Sequence, residues 1–221
     1  MKSNKKKLLK GIKFFGFNLL LPTFLLLVSF NIKEGLNELE FGKKVPMTNE
    51  PLENIDGKKI TLEELKQENG LIVIFSCNTC PFVVGNSDFE GWEKQYNDLY
   101  DAAQKNGLGL VLLNSNEAKR EGDDSLKEMK SHAKKAKYKM PYLVDENSKL
   151  ADAYGAKTTP HVFVIDNESK LIYRGSVDNL WDTKRTNLEP YLYDVMEHLS
   201  NGKELKNNDT PPRGCGIKRL K

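Results

Sequence analysis

Cys77 and Cys80 are separated by Asn78 and Thr79, between an apolar run and a helical pattern. Two thiols at that spacing can close into a disulfide and reopen by exchange, with a thiolate as the nucleophile. A sulfur at a helix N-terminus sits among unpaired N–H groups and at the positive end of the helix dipole, so its thiolate is favoured. This reading makes Cys77 the attacking thiol and Cys80 the thiol that resolves the mixed disulfide. Pro81 suits a first helical turn, where its missing N–H costs little. The third cysteine, Cys215, stands far away in sequence, and three cysteines are too few for a disulfide-stapled scaffold. A zinc site would need two further ligands at suitable spacing. Cys215, His132, His161 and His198 are each singly placed, so neither a metal nor another cofactor is expected.

The elements around this motif are legible from hydrophobic period and turn residues. Leu71–Phe75 is a continuous apolar run, as in a strand covered on both faces. Before it, residues 55–60 suggest a hairpin turning at Asp56-Gly57, and Thr61 with Glu64 forms a capping box for a short helix. After the cysteines, Phe89, Trp92, Tyr96, Leu99 and Ala103 recur at helical steps up to a stop at Gly107. A second buried strand is expected at 108–113, a lysine-rich helix at 124–137, a short strand at 141–144 and a short helix at 150–154. Strands at 161–165 and 171–174 are joined by a turn at 166–169, and a closing helix covers 188–199. Parallel strands with crossover helices, then an antiparallel pair, imply an α/β fold with a central mixed sheet flanked by helices. The domain is expected over 45–200, after a polar linker at 31–44. Residues 201–221, with their Asn, Pro and Gly, read as a C-terminal tail carrying Cys215.

Charge is unevenly spread over the 221 residues. The whole chain carries +3 at pH 7, but residues 1–13 hold six lysines and residues 201–221 a further +4, leaving −7 for the body between them. A body of that balance gives no electrostatic footprint for nucleic acid. The lysines precede Phe14–Phe30, an uncharged stretch of about 17 residues rich in Leu and Phe. Residues 1–30 therefore read as a signal peptide or as an uncleaved membrane anchor with a hydrophobic helix. Positive-inside orientation places the chain beyond residue 30 outside the cytoplasm: periplasmic, or on the outer face of the membrane and tethered by 14–30 if uncleaved.

Phe75-Ser76-Cys77-Asn78-Thr79-Cys80-Pro81-Phe82-Val83 resembles the active-site turn of the thioredoxin-like superfamily, in its peroxiredoxin-like (AhpC/TSA, redoxin) branch. So do Tyr154-Gly155-Ala156, Thr158-Thr159-Pro160, Tyr173-Arg174-Gly175 with Val177-Asp178, and Gly214-Cys215-Gly216-Ile217-Lys218, over about residues 42 to 219. The resemblance implies a thioredoxin-like fold and a thiol–disulfide oxidoreductase. Its partners would be protein or small-molecule thiols and disulfides and a reductant or oxidant protein. It also implies that Pro160 is cis and lies against the cysteines, with Thr159 and its neighbours presenting backbone to a substrate chain. Cys215 becomes a candidate third redox thiol, and His161, next to Pro160, a candidate modulator of thiolate charge.

Two departures refine this. Aligned with typical peroxiredoxins, Cys80 would be the peroxidatic cysteine of an antioxidant peroxidase. Cys77 then stands at their threonine position, Val73 at their proline and Thr159-Pro160 in their arginine region, so disulfide exchange is the better reading. Against thioredoxin itself, Phe75-Ser76 replaces the tryptophan before the first cysteine. Residues 71–74 hold no buried acid, which leaves the proton acceptor for Cys80 unassigned. A third alternative is a copper-binding chaperone using Cys77, Cys80 and His161.

Overall fold

Strands β3 (Gly70–Ser76) and β4 (Leu108–Asn114) form the centre of the protein, and every residue of both is buried. They run parallel, from Gly70 opposite Leu108 to Ser76 opposite Asn114. This computed structural model describes residues 39–221. The remaining strands of the main sheet are β1 (Leu52–Asn54), β2 (Lys59–Ile60), β5 (Tyr142–Val144), β7 (His161–Ile165) and β8 (Leu171–Gly175). Their order is β2-β1-β5-β4-β3-β7-β8. β7 pairs antiparallel with β3, and β8 with β7, so the sheet is mixed. A separate two-stranded ladder joins β6 (Thr158–Thr159) to β9 (Cys215–Gly216).

Alternation along β3 divides the core. Ile72 and Ile74 face a cluster with Val162, Val164, Trp92, Tyr96, Leu99, Met129, Leu192 and the two cysteines. Leu71, Val73 and Phe75 face the opposite cluster with Phe163, Ile165, Leu62, Leu150 and Tyr154. The first side is covered by α3 (Glu93–Lys105), α4 (Leu126–Ala136) and α6 (Tyr191–Asn201), the second by α1 (Leu62–Leu65) and α5 (Lys149–Tyr154). The α/β architecture expected from the run of elements, a central mixed sheet flanked by helices, is therefore present, and it fits the thioredoxin-like fold that the resemblance implied. The expected capping box at Thr61 is formed, with Thr61 and Glu64 bonding reciprocally.

Three segments differ from the sequence reading. The single helical pattern from Phe89 onward is broken: α2 (Pro81–Val84) is one turn, and α3 begins only at Glu93. Gly85 and Gly91 have φ of 89° and 79°, and a Cβ on Gly91 would lie 2.3 Å from Val83 O and Gly85 N. Phe89 and Trp92 therefore pack edge to face at 5.0 Å from a loop and a cap, not along one helix. Residues 39–44 do not form a free linker: Gly42 N–H bonds Leu171 O at 2.8 Å and Lys43 O accepts from Leu171 N–H at 2.9 Å. The tail also folds back. Thr210 N–H bonds Arg174 O, Arg174 N–H bonds Asn208 O, and Lys218 bonds Ala118 N–H and Asn116 Oδ1. Backbone pairing holds this segment, with Ile217 as its one buried aliphatic side chain, so hydrophobic period gave no sign of it. The hydrophobic helix expected at 14–30 lies outside the described residues. Among those described, no helix is long and apolar enough to cross a membrane.

Asp178 ties α3 to the loop after β8, accepting from Trp92 Nε1 at 2.7 Å and Gln95 Nε2 at 2.9 Å. Trp92 is fully buried, so removing its acceptor leaves an unpaired indole N–H. Asp178→Ala is expected to cost about 2 kcal/mol, and Asp178→Asn less, in urea unfolding.

Candidate active site

β3 ends at Ser76, and the chain turns through Cys77–Thr79 before α2. The residue that caps α2 is Cys80, whose carbonyl accepts from Val83 and Val84 N–H at 2.8 and 2.9 Å. The expectation that Cys77 stands at the helix start is corrected: Pro81 sets the first turn one residue after Cys80, leaving Cys77 in the preceding loop. Both sulfurs are buried, Cys77 at 1% and Cys80 at 4% exposure. The Thr159-Pro160 peptide is cis, as the resemblance implied, and Thr159 touches both sulfurs. Its Oγ1 is 3.1 Å from Cys77 Sγ, and its carbonyl oxygen is 3.0 Å from Cys80 Sγ.

The two thiols differ in what surrounds them. As a thiol, Cys80 donates to the Thr159 carbonyl. As a thiolate it accepts from the Cys77 thiol, from the Cys215 thiol, and from the backbone N–H groups of Cys215 (3.4 Å) and Phe82. Donation by Cys77 is the largest effect. Against the cost of burial, these donors hold Cys80 at about 5. Cys77 is pushed far above the ordinary thiol value, first because it donates to Cys80, then by burial; the nearby Asp124 charge adds to this, and the Thr159 hydroxyl opposes it. Thr159→Val removes the opposing bond, so Cys77 is expected to titrate higher still, read by pH-dependent alkylation with mass spectrometry.

Behind the turn lies a buried polar network. Asp124 Oδ1 accepts from Asn78 N–H at 2.9 Å and from Asn114 Nδ2 at 2.7 Å, and its Oδ2 accepts from Asn116 Nδ2 at 3.0 Å. Tyr142 donates to Asn78 Oδ1 at 2.9 Å. Arg120 bonds the carbonyls of Asp124 and Asn114 at 2.7 and 2.8 Å. No residue of this network was singled out from the sequence. A buried acid does stand behind the turn, but it comes from the loop before α4, within Glu121-Gly122-Asp123-Asp124, where it reads as one more surface charge. The polar Asn114-Ser115-Asn116 ending an apolar strand was the available signal.

His161 is not brought to the sulfurs. It shares a strand face with Phe163, whose ring centroid is 4.6 Å away, and its Nδ1 accepts from Lys157 N–H at 3.1 Å. Cys77 and Cys80 belong to the opposite core cluster. His161 therefore lies on the other strand face from the two cysteines. Among the described residues, no three His, Cys, Asp or Glu side chains form a metal-holding group. Cys215, by contrast, is brought to Cys80, opposite Thr159 in the β6–β9 ladder.

Comparison with known proteins decides the family: redoxin matches residues 40–192. The chain belongs to the redoxin family. It is an oxidoreductase of thioredoxin-like fold. A solved structure of an uncharacterized conserved protein from Geobacillus kaustophilus is 31% identical with a TM-score of 0.71, covering 83% of this chain and 94% of that one. Thiol-disulfide oxidoreductase ResA of Bacillus thuringiensis is 23% identical over 151 residues, 66% of this chain and 77% of the relative. Peroxidoxin BcpB of Mycobacterium tuberculosis shares the fold at 15% identity, with a TM-score of 0.53 over 76% of this redoxin and 99% of that chain.

Proposed function

We propose that this redoxin is a thiol–disulfide oxidoreductase acting through Cys77 and Cys80, with Cys80 as the exchanging thiolate and Cys77 as its disulfide partner. The observation that carries this is the convergence of two thiols and two backbone N–H groups on Cys80, one of those thiols being Cys77. These roles reverse those expected from spacing, because the sulfur held as thiolate is the one capping α2.

In the reducing direction, the Cys80 thiolate attacks a substrate disulfide; a Cys80–substrate bond forms and one substrate thiolate leaves, taking up a proton. Cys80 is then neutral, which removes the main cause holding Cys77 up. Cys77 loses its proton, attacks Cys80 Sγ and expels the second substrate thiolate. The enzyme loses two electrons and the substrate disulfide gains them. Run backward, the Cys77–Cys80 disulfide oxidises a substrate dithiol, with Cys80 as a good leaving group because of its low pKa. Thr159, held by the cis peptide to Pro160, lines the sulfurs and positions the turn, with its hydroxyl on Cys77 and its carbonyl on Cys80. The name of the Bacillus thuringiensis relative supports thiols or disulfides as substrates, with a redox partner protein completing the cycle. The lysine-flanked apolar stretch at 14–30 favours work outside the cytoplasm, tethered to a membrane if uncleaved.

Trapping in cells tests the assignment. With Cys215→Ser also present, so that no neighbouring thiol resolves the adduct, Cys77→Ser is expected to accumulate mixed disulfides with substrates, whereas Cys80→Ser accumulates none. Trapping by Cys80→Ser alone would return the attacking role to Cys77.

Peroxide reduction is a second reading, favoured by the low pKa of Cys80. The donors around this sulfur are thiols and backbone amides rather than a guanidinium, which suits exchange better than stabilising charge on a peroxide oxygen. Rapid hydrogen peroxide consumption that depends on Cys80 and survives Cys77→Ser would reverse this ranking.

A further inference from the structure

The site is closed by the protein's own C-terminal segment. Cys77, Cys80 and Thr159 are at most 4% exposed, while Cys215, directly above them in the β6–β9 ladder, is partly exposed. Thr159 lies opposite Cys215 and Thr158 opposite Gly216, so the β6 edge next to Pro160 is paired by the chain itself. The approach is close: a Cβ on Gly214 would stand 2.2 Å from Thr159 O and 3.1 Å from Pro160 N. A glycine is needed there for the segment to lie flat on the Thr159-Pro160 peptide. Upstream, Arg213 stacks over Trp181 at 4.1 Å and its N–H bonds Ser176 Oγ at 3.2 Å. Downstream, Lys218 is bonded to Asn116 and Ala118. Held on both sides, Cys215 presents its thiol and its N–H to Cys80.

We propose that Cys215 is a third redox-active thiol, which forms a disulfide with Cys80 and carries the oxidation state of the buried Cys77–Cys80 centre to external thiols. The proposal rests on the exchange reading above. Starting from the Cys77–Cys80 disulfide, Cys215 loses its proton and attacks Cys80 Sγ. The Cys80–Cys215 bond forms, the Cys77–Cys80 bond breaks, and Cys77 leaves as a thiolate that takes up a proton. No net electrons move in this step. An external dithiol then attacks the more exposed Cys215 Sγ, and Cys80 departs as the favoured thiolate. The partner's second thiol expels Cys215, so the partner becomes a disulfide and the enzyme regains two electrons. Reduction of substrates runs through the same bonds in reverse. Burial holds Cys215 up at about 11 in the reduced protein, with donation to the Cys80 thiolate as the next cause. Once Cys80 is in a disulfide the second cause is gone and the attack is eased.

The test is disulfide mapping of the full chain by non-reducing peptide mass spectrometry after equilibration in a glutathione redox buffer. Wild type is expected to yield both Cys77–Cys80 and Cys80–Cys215 linkages, and Cys77→Ser the Cys80–Cys215 linkage as its main product. Gly214→Ala, which keeps all three thiols, is expected to lower the Cys80–Cys215 yield several-fold while Cys77–Cys80 persists. Cys77–Cys80 alone in wild type, with Cys215 free or glutathionylated in both wild type and Cys77→Ser, would overturn the third-thiol proposal and leave the exchange reading standing. Absence of any protein disulfide at Cys80 would overturn both.

Discussion

Cys80→Ser is expected to reduce thiol–disulfide exchange to background across the whole pH range, while Cys77→Ser combined with Cys215→Ser still makes the first attack and stalls at the mixed disulfide. At neutral pH a thiol near 5 is about 99% thiolate, roughly thirtyfold more than an ordinary cysteine. Most of that advantage in attack is offset, because nucleophilicity falls along a Brønsted slope of about 0.4–0.5 as the pKa falls. The gain is therefore small at pH 7 and grows as pH is lowered toward 6, where an ordinary thiol is almost fully protonated. The larger benefit is in departure, since a low-pKa sulfur leaves faster. The pH profile of wild type with a small-molecule disulfide should accordingly rise through about 5 and flatten above it. Stopped-flow kinetics on Cys80→Ser and on the Cys77→Ser/Cys215→Ser pair separates attack from resolution.

Asp124→Ala is expected to be the most destabilising polar substitution around the site. Asp124 is fully buried and accepts from the Asn78 backbone and from Asn114 and Asn116 side chains. Truncation leaves three buried donors without their acceptor, at a cost of about 4 kcal/mol in chemical unfolding. For a domain of this size the melting temperature should fall by about 10 °C. Asp124→Asn keeps an acceptor but must turn an NH2 toward some of those donors, so it falls between. The Asn variant has a second readout. The Asp124 charge is the smallest of the causes that push Cys77 up, so its removal should lower Cys77 modestly, with the Cys80 contact and burial still holding it above the ordinary thiol range. A residue with only a packing role would leave that titration unmoved.

The sheet was legible in the sequence because its central strands are uninterrupted apolar runs. Leu71–Phe75 and 108–113 carry their burial in composition alone, and Thr61 with Glu64 announces α1. The elements that were misread are held by other means. The break between α2 and α3 depends on positive φ at Gly85 and Gly91, while Phe89 and Trp92 happen to continue a helical spacing. The C-terminal strand is fixed by backbone pairing and by Gly214, neither of which leaves a hydrophobic period. At the site, the cysteines and Thr159-Pro160 were visible as a motif, but their division of labour was not. Which sulfur is favoured as thiolate depends on donors from separate segments: Cys77 in the turn, Phe82 in α2 and Cys215 in β9. His161 was drawn to the sulfurs by its place after Pro160, yet strand alternation turns it to the other face with Phe163.

The central claim, that Cys80 rather than Cys77 is the thiolate of this centre, is tested most directly by following thiolate ultraviolet absorbance against pH in the reduced full chain. A transition near about 5 is predicted, absent in Cys80→Ser and kept in Cys77→Ser, where the serine hydroxyl can still donate to Cys80. A low-pH transition that vanishes in Cys77→Ser but survives in Cys80→Ser would contradict it.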